Sequence, residues 1–241
     1  MSQRTGKILR ILALVLVGVT AAFTLLGGIG TTCVAFNAEQ YGKAFAAFIP
    51  YKSIYQAFVV TSILAGLIGI AATVAMLRGY RWAYWAAIAA AVTGMATAGI
   101  HMYYSSTLKE ISFFAAAPEN MRFYVSVITL VVLLIIRLPG VWQAVDFTSP
   151  WRGSRAKISG AGMAAVAVGL TTLTTPMWAA PNHVVDGFNL VYVLDVPLAL
   201  VGLGLTLGGL LLVGLAGAGL GWRDSLAGLH RRLASLPGQL R

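Results

Sequence analysis

Charged residues are scarce in this chain of 241 residues. They make up 10% of the sequence, while 59% of it is hydrophobic. A soluble globular domain carries about 25% charged residues, so this chain has too few to cover a folded surface in water. The composition excludes an ordinary soluble domain and predicts an integral membrane protein.

Cysteine and the common catalytic motifs are also nearly or wholly missing. Cys33 is the only cysteine, which excludes an intramolecular disulfide and any cysteine-based zinc or redox pair. No G-x-S-x-G pattern is present, and the glycines lie in apolar runs rather than at strand-to-helix turns where phosphates bind. The sequence favours a protein that is not an enzyme.

What the chain does have is six long apolar runs. Each is about the 20 residues that a helix needs to cross a bilayer, and backbone groups in lipid must be hydrogen-bonded within their own segment. The sequence therefore predicts an all-α bundle of about six transmembrane helices. The predicted spans are Ile8–Gly30, Gln56–Leu77, Trp82–Tyr103, Phe123–Trp142, Ile158–Trp178 and Val196–Gly219.

The basic residues predict the orientation of these spans. With the N-terminus in the cytoplasm, 13 Lys and Arg fall on the cytoplasmic side and four on the outer side, as the positive-inside rule requires. The outer four are Lys43, Lys52, Lys109 and Arg122. We expect a plasma-membrane protein with both termini in the cytoplasm, and we attribute the net charge of +10 to topology and to anionic lipid, not to nucleic acid.

The first span has a second interpretation as a signal peptide, since it follows a basic start. The apolar run is long for a signal peptide and no clean small-residue cleavage site follows it, so we expect the span to be retained.

Polar stretches divide the chain into regions. Residues 1–142 form a four-span part with a long aromatic outer loop at 31–55, and 143–157 form a basic cytoplasmic linker. Residues 158–220 form a two-span part, and 221–241 a cytoplasmic tail. In that tail Leu226, Leu229, Leu233 and Leu236 recur at helical spacing, which predicts a short amphipathic helix on the membrane surface or a helix that docks a partner.

Ionisable residues gather near one predicted membrane face and define a candidate metal site. His101, His183 and Asp186 supply imidazole and carboxylate groups that suit zinc, iron or copper, and the two histidines suit haem. No metal motif supports either cofactor, so we favour none. Asp195 precedes Val196 and Pro197, a pattern typical of a helix N-cap followed by proline in the first turn, with a functional carboxylate as the alternative.

The last two spans hold small and hydroxylated residues in place of large apolar ones. Thr171, Thr172 and Thr175 predict a packed helix or a pore lining, and Gly204 and Gly208 form a small-xxx-small pair that permits close helix approach. We expect this pair to serve packing within the chain before dimerisation.

Three functional hypotheses follow. The first is a non-enzymatic subunit or scaffold of a membrane assembly, with other membrane proteins as partners, and we favour it because the predicted spans carry no charged residue at their centres. The second is an outer-face metal or haem redox protein built on the histidines. The third is a permease or channel for a small uncharged solute.

Overall fold

The computed structural model describes residues 2–116, 119–150, 154–180, 184–185 and 188–217, and within them the chain is almost entirely helical. Six helices are long and apolar enough to cross a membrane, which confirms the predicted number. The helices are α1 (Gln3–Asn37), α2 (Lys52–Leu77), α3 (Trp82–Lys109), α4 (Glu119–Ile136), α5 (Val141–Val145), α6 (Ser154–Ala179), α7 (Leu190–Val193) and α8 (Asp195–Gly217). A 3₁₀ segment, Ala38–Tyr51, joins α1 to α2, and β1 (Val184–Val185) pairs antiparallel with β2 (Phe188–Asn189).

Helices α1 to α4 form a four-helix bundle. Each helix packs against the next along the chain, and α4 packs against α1 to close the ring. Gly79, at φ +79°, permits the tight turn between α2 and α3, where a Cβ would lie 2.7 Å from the Thr148 carbonyl oxygen. We call the end of the bundle at this turn the turn end, and the opposite end, which carries the 3₁₀ segment, the loop end.

Helices α6 and α8 form an antiparallel hairpin held by glycines. A Cβ on Gly169 would lie 2.6 Å from the Thr206 backbone nitrogen, and one on Gly209 would lie 2.5 Å from the Gly162 carbonyl oxygen. The two backbones are therefore as close as small residues allow. The hairpin packs against the bundle through α6, whose Ala167 and Leu170 contact Val19 and Phe23 of α1.

The fourth apolar helix differs from its predicted bounds at both ends. It begins at Glu119 and ends at Ile136, whereas the sequence predicted Phe123–Trp142. The helix ends early because Pro139 and Gly140, which has φ +81°, break it, and Trp142 lies in the separate helix α5. At its other end, the helix includes two charged residues that the prediction assigned to an outer loop.

The described part of the predicted linker packs against the bundle. Phe147 is buried in the core cluster of the turn end beside Tyr84, and the Arg10 guanidinium donates to the Ser149 carbonyl oxygen. The predicted amphipathic helix of the tail, 221–241, lies outside the described residues.

Candidate functional site: a polar cluster inside the bundle

One buried face of α4 changes from polar to apolar along its length. Its buried residues are Glu119, Arg122, Ser126, Thr129, Leu133 and Ile136. They recur every three or four positions and so lie along one stripe of the helix. The half at the loop end is charged or hydroxylated, while the half at the turn end joins the largest apolar core cluster.

Helix α1 shows the same change from polar to apolar residues on the face that contacts α4. Thr20 and Thr24 are buried, and the Thr20 and Thr129 hydroxyl oxygens lie 2.6 Å apart across the α1–α4 contact. Towards the turn end, Ala13, Leu14 and Val17 take their place in the apolar core. The contact between α1 and α4 is therefore polar in the half towards the loop end and apolar in the half towards the turn end.

His101 and Glu119 form the pair nearest the loop end. His101 Nε2 lies 3.2 Å from Glu119 Oε1, and both side chains are buried. The Phe58 ring stacks on the imidazole at a centroid distance of 5.0 Å, and the Tyr55 ring meets it edge-on at 4.8 Å. Aromatic rings thus close the pair on two sides and hold the imidazole in place.

Arg122 lies one helical turn from Glu119 and is 3% exposed. Its Nη1 donates to the Ser62 hydroxyl oxygen at 2.7 Å, which ties α4 to α2. The guanidinium also runs past Gly27 of α1, where a Cβ would lie 3.3 Å from Nη1 and 3.4 Å from Cδ. A glycine at this position leaves the space that the arginine occupies.

The cluster is a functional candidate because buried charge is costly. An ionised side chain removed from water loses several kcal/mol even after relaxation, and only well-placed partners restore it. Several polar atoms here have no hydrogen-bond partner among the described residues, namely His101 Nδ1, Glu119 Oε2, Arg122 Nε and Nη2, Thr24 Oγ1 and Ser126 Oγ. Native proteins pair most buried polar groups, so several unpaired ones at one place mark the cluster as a functional candidate.

A carboxylate at the turn end has a structural role instead. Asp146, in the loop after α5, accepts hydrogen bonds from the Ser149 and Thr148 hydroxyls. These bonds, with the Arg10 guanidinium nearby, lower the pKa of the Asp146 carboxyl below its ordinary value. A satisfied carboxylate of this kind holds a loop in place and leaves nothing free for chemistry.

The predicted metal residues are only partly described. His101 is buried with its Nε2 at Glu119, while His183 and Asp186 lie outside the described residues. Within the described ranges no group of three His, Cys, Asp or Glu is placed to hold a metal ion. The metal and haem hypothesis therefore stays a prediction.

The remaining predicted residues lie in the hairpin. Asp195 is exposed in the first turn of α8. The residue before Asp195, Leu194, accepts a hydrogen bond from the Leu198 amide through its backbone carbonyl. The hydroxyls of Thr171, Thr172 and Thr175 donate to backbone carbonyls of their own helix. Among the described residues, a Cβ on Gly204 or Gly208 would meet nothing within 4 Å, so this pair faces away from α6, whereas Gly202 and Gly209 pack against it.

Sequence reasoning missed Glu119, Arg122 and Ser62 as site residues. The span prediction began at Phe123 because the two charged residues lower the hydropathy of any window that includes them. The signal that identifies them is periodicity: 119, 122, 126 and 129 continue the 3-4-3 spacing of the buried stripe. Ser62 has no local signal, since its role depends on a partner 60 residues away.

Comparisons with protein families, with characterised proteins and with solved structures found no match for this chain.

Proposed function

We propose that this protein is a multi-pass membrane protein of the plasma membrane, with both termini in the cytoplasm, that acts as a non-enzymatic subunit or scaffold of a membrane assembly. The six apolar helices support the membrane location. The excess of Lys and Arg in one set of connections supports the orientation.

The observation that carries the assembly role is the poor coverage of α8. Among the described residues, only 17% of an 18-residue apolar window of α8 is buried, compared with 50% for α1 and 44% for α3. Its outward face holds Leu207 and Leu211 around Gly204 and Gly208, which have open space above them. Glycines four apart on an uncovered apolar helix favour close contact with another membrane helix.

The partner that this face fits is an apolar transmembrane helix. The outward face of α8 consists of apolar side chains and glycine from Val196 to Leu211. A helix with small residues or a smooth apolar surface would reach the α8 backbone at the glycine pair. We take a second copy of this chain as the first case to test.

Cysteine crosslinking in native membranes tests the assembly role. Leu207→Cys is placed in a Cys33→Ser background, so that the introduced thiol is the only one. We expect a discrete crosslinked product with a second copy or another membrane protein, and we expect Gly208→Ile to abolish it by blocking close approach. A chain that stays uncrosslinked at Leu207, or a product unchanged by Gly208→Ile, would contradict the proposal.

A topology measurement tests the orientation. In the same Cys33→Ser background, single cysteines are placed at Thr107 beside the loop end and at Gln143 beside the turn end, both exposed. A thiol reagent that does not cross membranes should label the Thr107 position in intact cells and the Gln143 position only after lysis. The reverse pattern would refute the proposed orientation.

A further inference from the structure

A cavity of about 390 Å³ lies at the turn end, between residues at the start of α3, just after the end of α4 and in α5. Pockets that bind small molecules usually have a volume of about 300–1,000 Å³, so this cavity is large enough for a ligand. Its wall includes two arginines and four aromatic residues, which are Tyr80, Arg81, Tyr84, Trp85, Arg137 and Trp142. A lining with two guanidinium groups suits a ligand that carries negative charge.

No described residue supplies a carboxylate to these two guanidinium groups. Within the part of the chain that the structure describes, the side chains of Arg81 and Arg137 make neither an ion pair nor a hydrogen bond. Asp146 is the only acidic residue described at this end of the bundle, and its carboxylate already accepts hydrogen bonds from the Ser149 and Thr148 hydroxyls. The wall of the cavity therefore carries two positive charges that the described residues leave uncompensated.

Two indole rings hold the Arg137 guanidinium in place. Its Cζ atom lies 4.7 Å from the Trp142 ring centroid and 5.7 Å from the Trp85 ring centroid. Aromatic rings at these distances stabilise the cation, while the N–H groups at the edge of the guanidinium fit two oxygens of a phosphate or carboxylate. A second cation such as a choline group would meet like charge at the same rings, so an anion is the favoured ligand.

The position of the cavity along the helices indicates the source of the anion. Arg81 directly precedes α3 and Arg137 directly follows α4, so both lie where an apolar helix ends. In a membrane this level holds the lipid headgroups, and Trp and Tyr are enriched there. Tyr80 and Trp85 are 50% and 59% exposed. Leu134, which is exposed about one turn before Arg137 on α4, would offer an apolar surface to an acyl chain.

We infer that this cavity binds the phosphate group of an anionic phospholipid, with Arg81 and Arg137 as the binding residues. The exposed aromatic and apolar side chains around the two arginines favour a lipid over free phosphate. This site differs from the general attraction of basic segments to anionic lipid, because it assigns the binding to two particular residues. The inference rests on the proposed membrane location, but it does not depend on the proposed orientation or on the contact face of α8.

The test is lipid binding to the purified full-length protein in micelles of a non-ionic detergent. The midpoint of thermal unfolding is measured with increasing phosphatidylglycerol, with phosphatidylcholine at the same mole fraction, and with inorganic phosphate, all at constant ionic strength. A ligand that binds only the folded state raises the midpoint. We expect a saturable rise with phosphatidylglycerol that neither phosphatidylcholine nor inorganic phosphate reproduces.

Variants locate the site. Arg81→Gln and Arg137→Gln each remove one charged donor, and we expect each to increase the dissociation constant for phosphatidylglycerol about tenfold. Arg137→Lys keeps the charge but removes the planar edge of the guanidinium, so it should also weaken binding. Arg78→Gln is the matched control, because Arg78 is exposed in the same turn as Arg81 but is not among the residues that line the cavity. This control should leave the dissociation constant nearly unchanged.

Three results would overturn the inference. One is an unfolding midpoint that phosphatidylglycerol raises no more than phosphatidylcholine does. Another is an equal rise with inorganic phosphate, which would make free phosphate the ligand. The third is equal weakening by Arg78→Gln, Arg81→Gln and Arg137→Gln, which would show only general attraction between anionic micelles and basic residues. The crosslinking and topology measurements do not depend on this cavity, so failure here would leave the proposed function standing.

Discussion

Within the described residues, the four-helix bundle has polar side-chain contacts between helices that the α6–α8 hairpin lacks. Glycines bring helices close in both regions, since a Cβ on Gly66 of α2 would lie 2.7 Å from the Leu25 backbone nitrogen of α1. In the bundle, side chains from different helices meet: Arg122 reaches Ser62, His101 reaches Glu119, and Thr20 reaches Thr129. In the hairpin, Thr171, Thr172 and Thr175 donate to their own helix, and the contact between helices is made by glycine backbones. The comparison shows where specificity lies, because a glycine seam fixes only distance, while a set of polar partners fixes which side chains must meet.

Removal of Arg122 should give the largest effect in the bundle. Arg122→Met leaves Glu119 without its nearest positive charge and Ser62 without its donor, and breaking such a buried set costs about 3–5 kcal/mol. The free energy of unfolding in mixed micelles, followed by denaturing-detergent titration, measures this loss. Arg137→Met at the exposed arginine over Trp142 is the control and should cost about 0.5–1 kcal/mol. Similar losses in the two variants would show that the buried cluster has no special weight.

Adding a methyl group at the glycine contact between α6 and α8 should have the next largest effect. In Gly169→Ala the added Cβ would lie 2.6 Å from the Thr206 backbone nitrogen, so the hairpin must separate, at a cost of about 1–3 kcal/mol. Gly214→Ala, whose Cβ meets nothing within 4 Å, should instead stabilise the helix slightly through better helix propensity. The same titration compares the two variants. Equal changes in the free energy of unfolding would refute the requirement for glycine at the α6–α8 contact.

Loss of a single hydrogen bond at the turn end should matter less. The Tyr84 hydroxyl donates to the Leu133 carbonyl at 2.8 Å while its ring packs against Trp142. Tyr84→Phe keeps the packing and removes the bond, which should cost about 1 kcal/mol. Unfolding of this variant against wild type checks the value, and a loss as large as that for Arg122→Met would mean that the turn end also depends on polar contacts.

The smallest expected effect is a pH dependence from Asp146. Hydrogen bonds from Ser149 and Thr148 lower its pKa in the folded state, so its contribution is fully present above the unfolded pKa of about 3.9. That contribution is lost as the pH falls through the lower, folded pKa. We expect Asp146→Asn to remove under about 1 kcal/mol at neutral pH and to flatten the acid side of the stability profile. An unchanged profile would contradict this role.

The apolar helices were predictable because hydropathy is a local property. Turn and helix ends were partly predictable, since Pro139 and Gly140 mark a break that the sequence displays, although the predicted span ran across it. The start of α4 was not predictable, because a charged residue is assigned to a loop unless its buried partner is known. Whether Glu119 and Arg122 lie inside depends on His101 and Ser62, which are brought near only when α2, α3 and α4 take their places in the bundle.

The glycines of α8 show the same limit. The sequence analysis singled out Gly204 and Gly208 because their spacing forms a small-xxx-small pair. Only the position of α6 separates the pair that packs, Gly202 and Gly209, from the pair left open, Gly204 and Gly208. A spacing rule identifies a possible contact face, but the partner helix decides which face is used.

The most direct test of the account is a double-mutant cycle on His101 and Glu119. The free energy of unfolding is measured for wild type, His101→Phe, Glu119→Gln and the double variant. The contact of 3.2 Å between Nε2 and Oε1 predicts a coupling energy of about 1 kcal/mol or more, as is usual for buried partners. Losses that add within about 0.5 kcal/mol would show that the two side chains do not meet and would contradict a polar cluster inside the bundle.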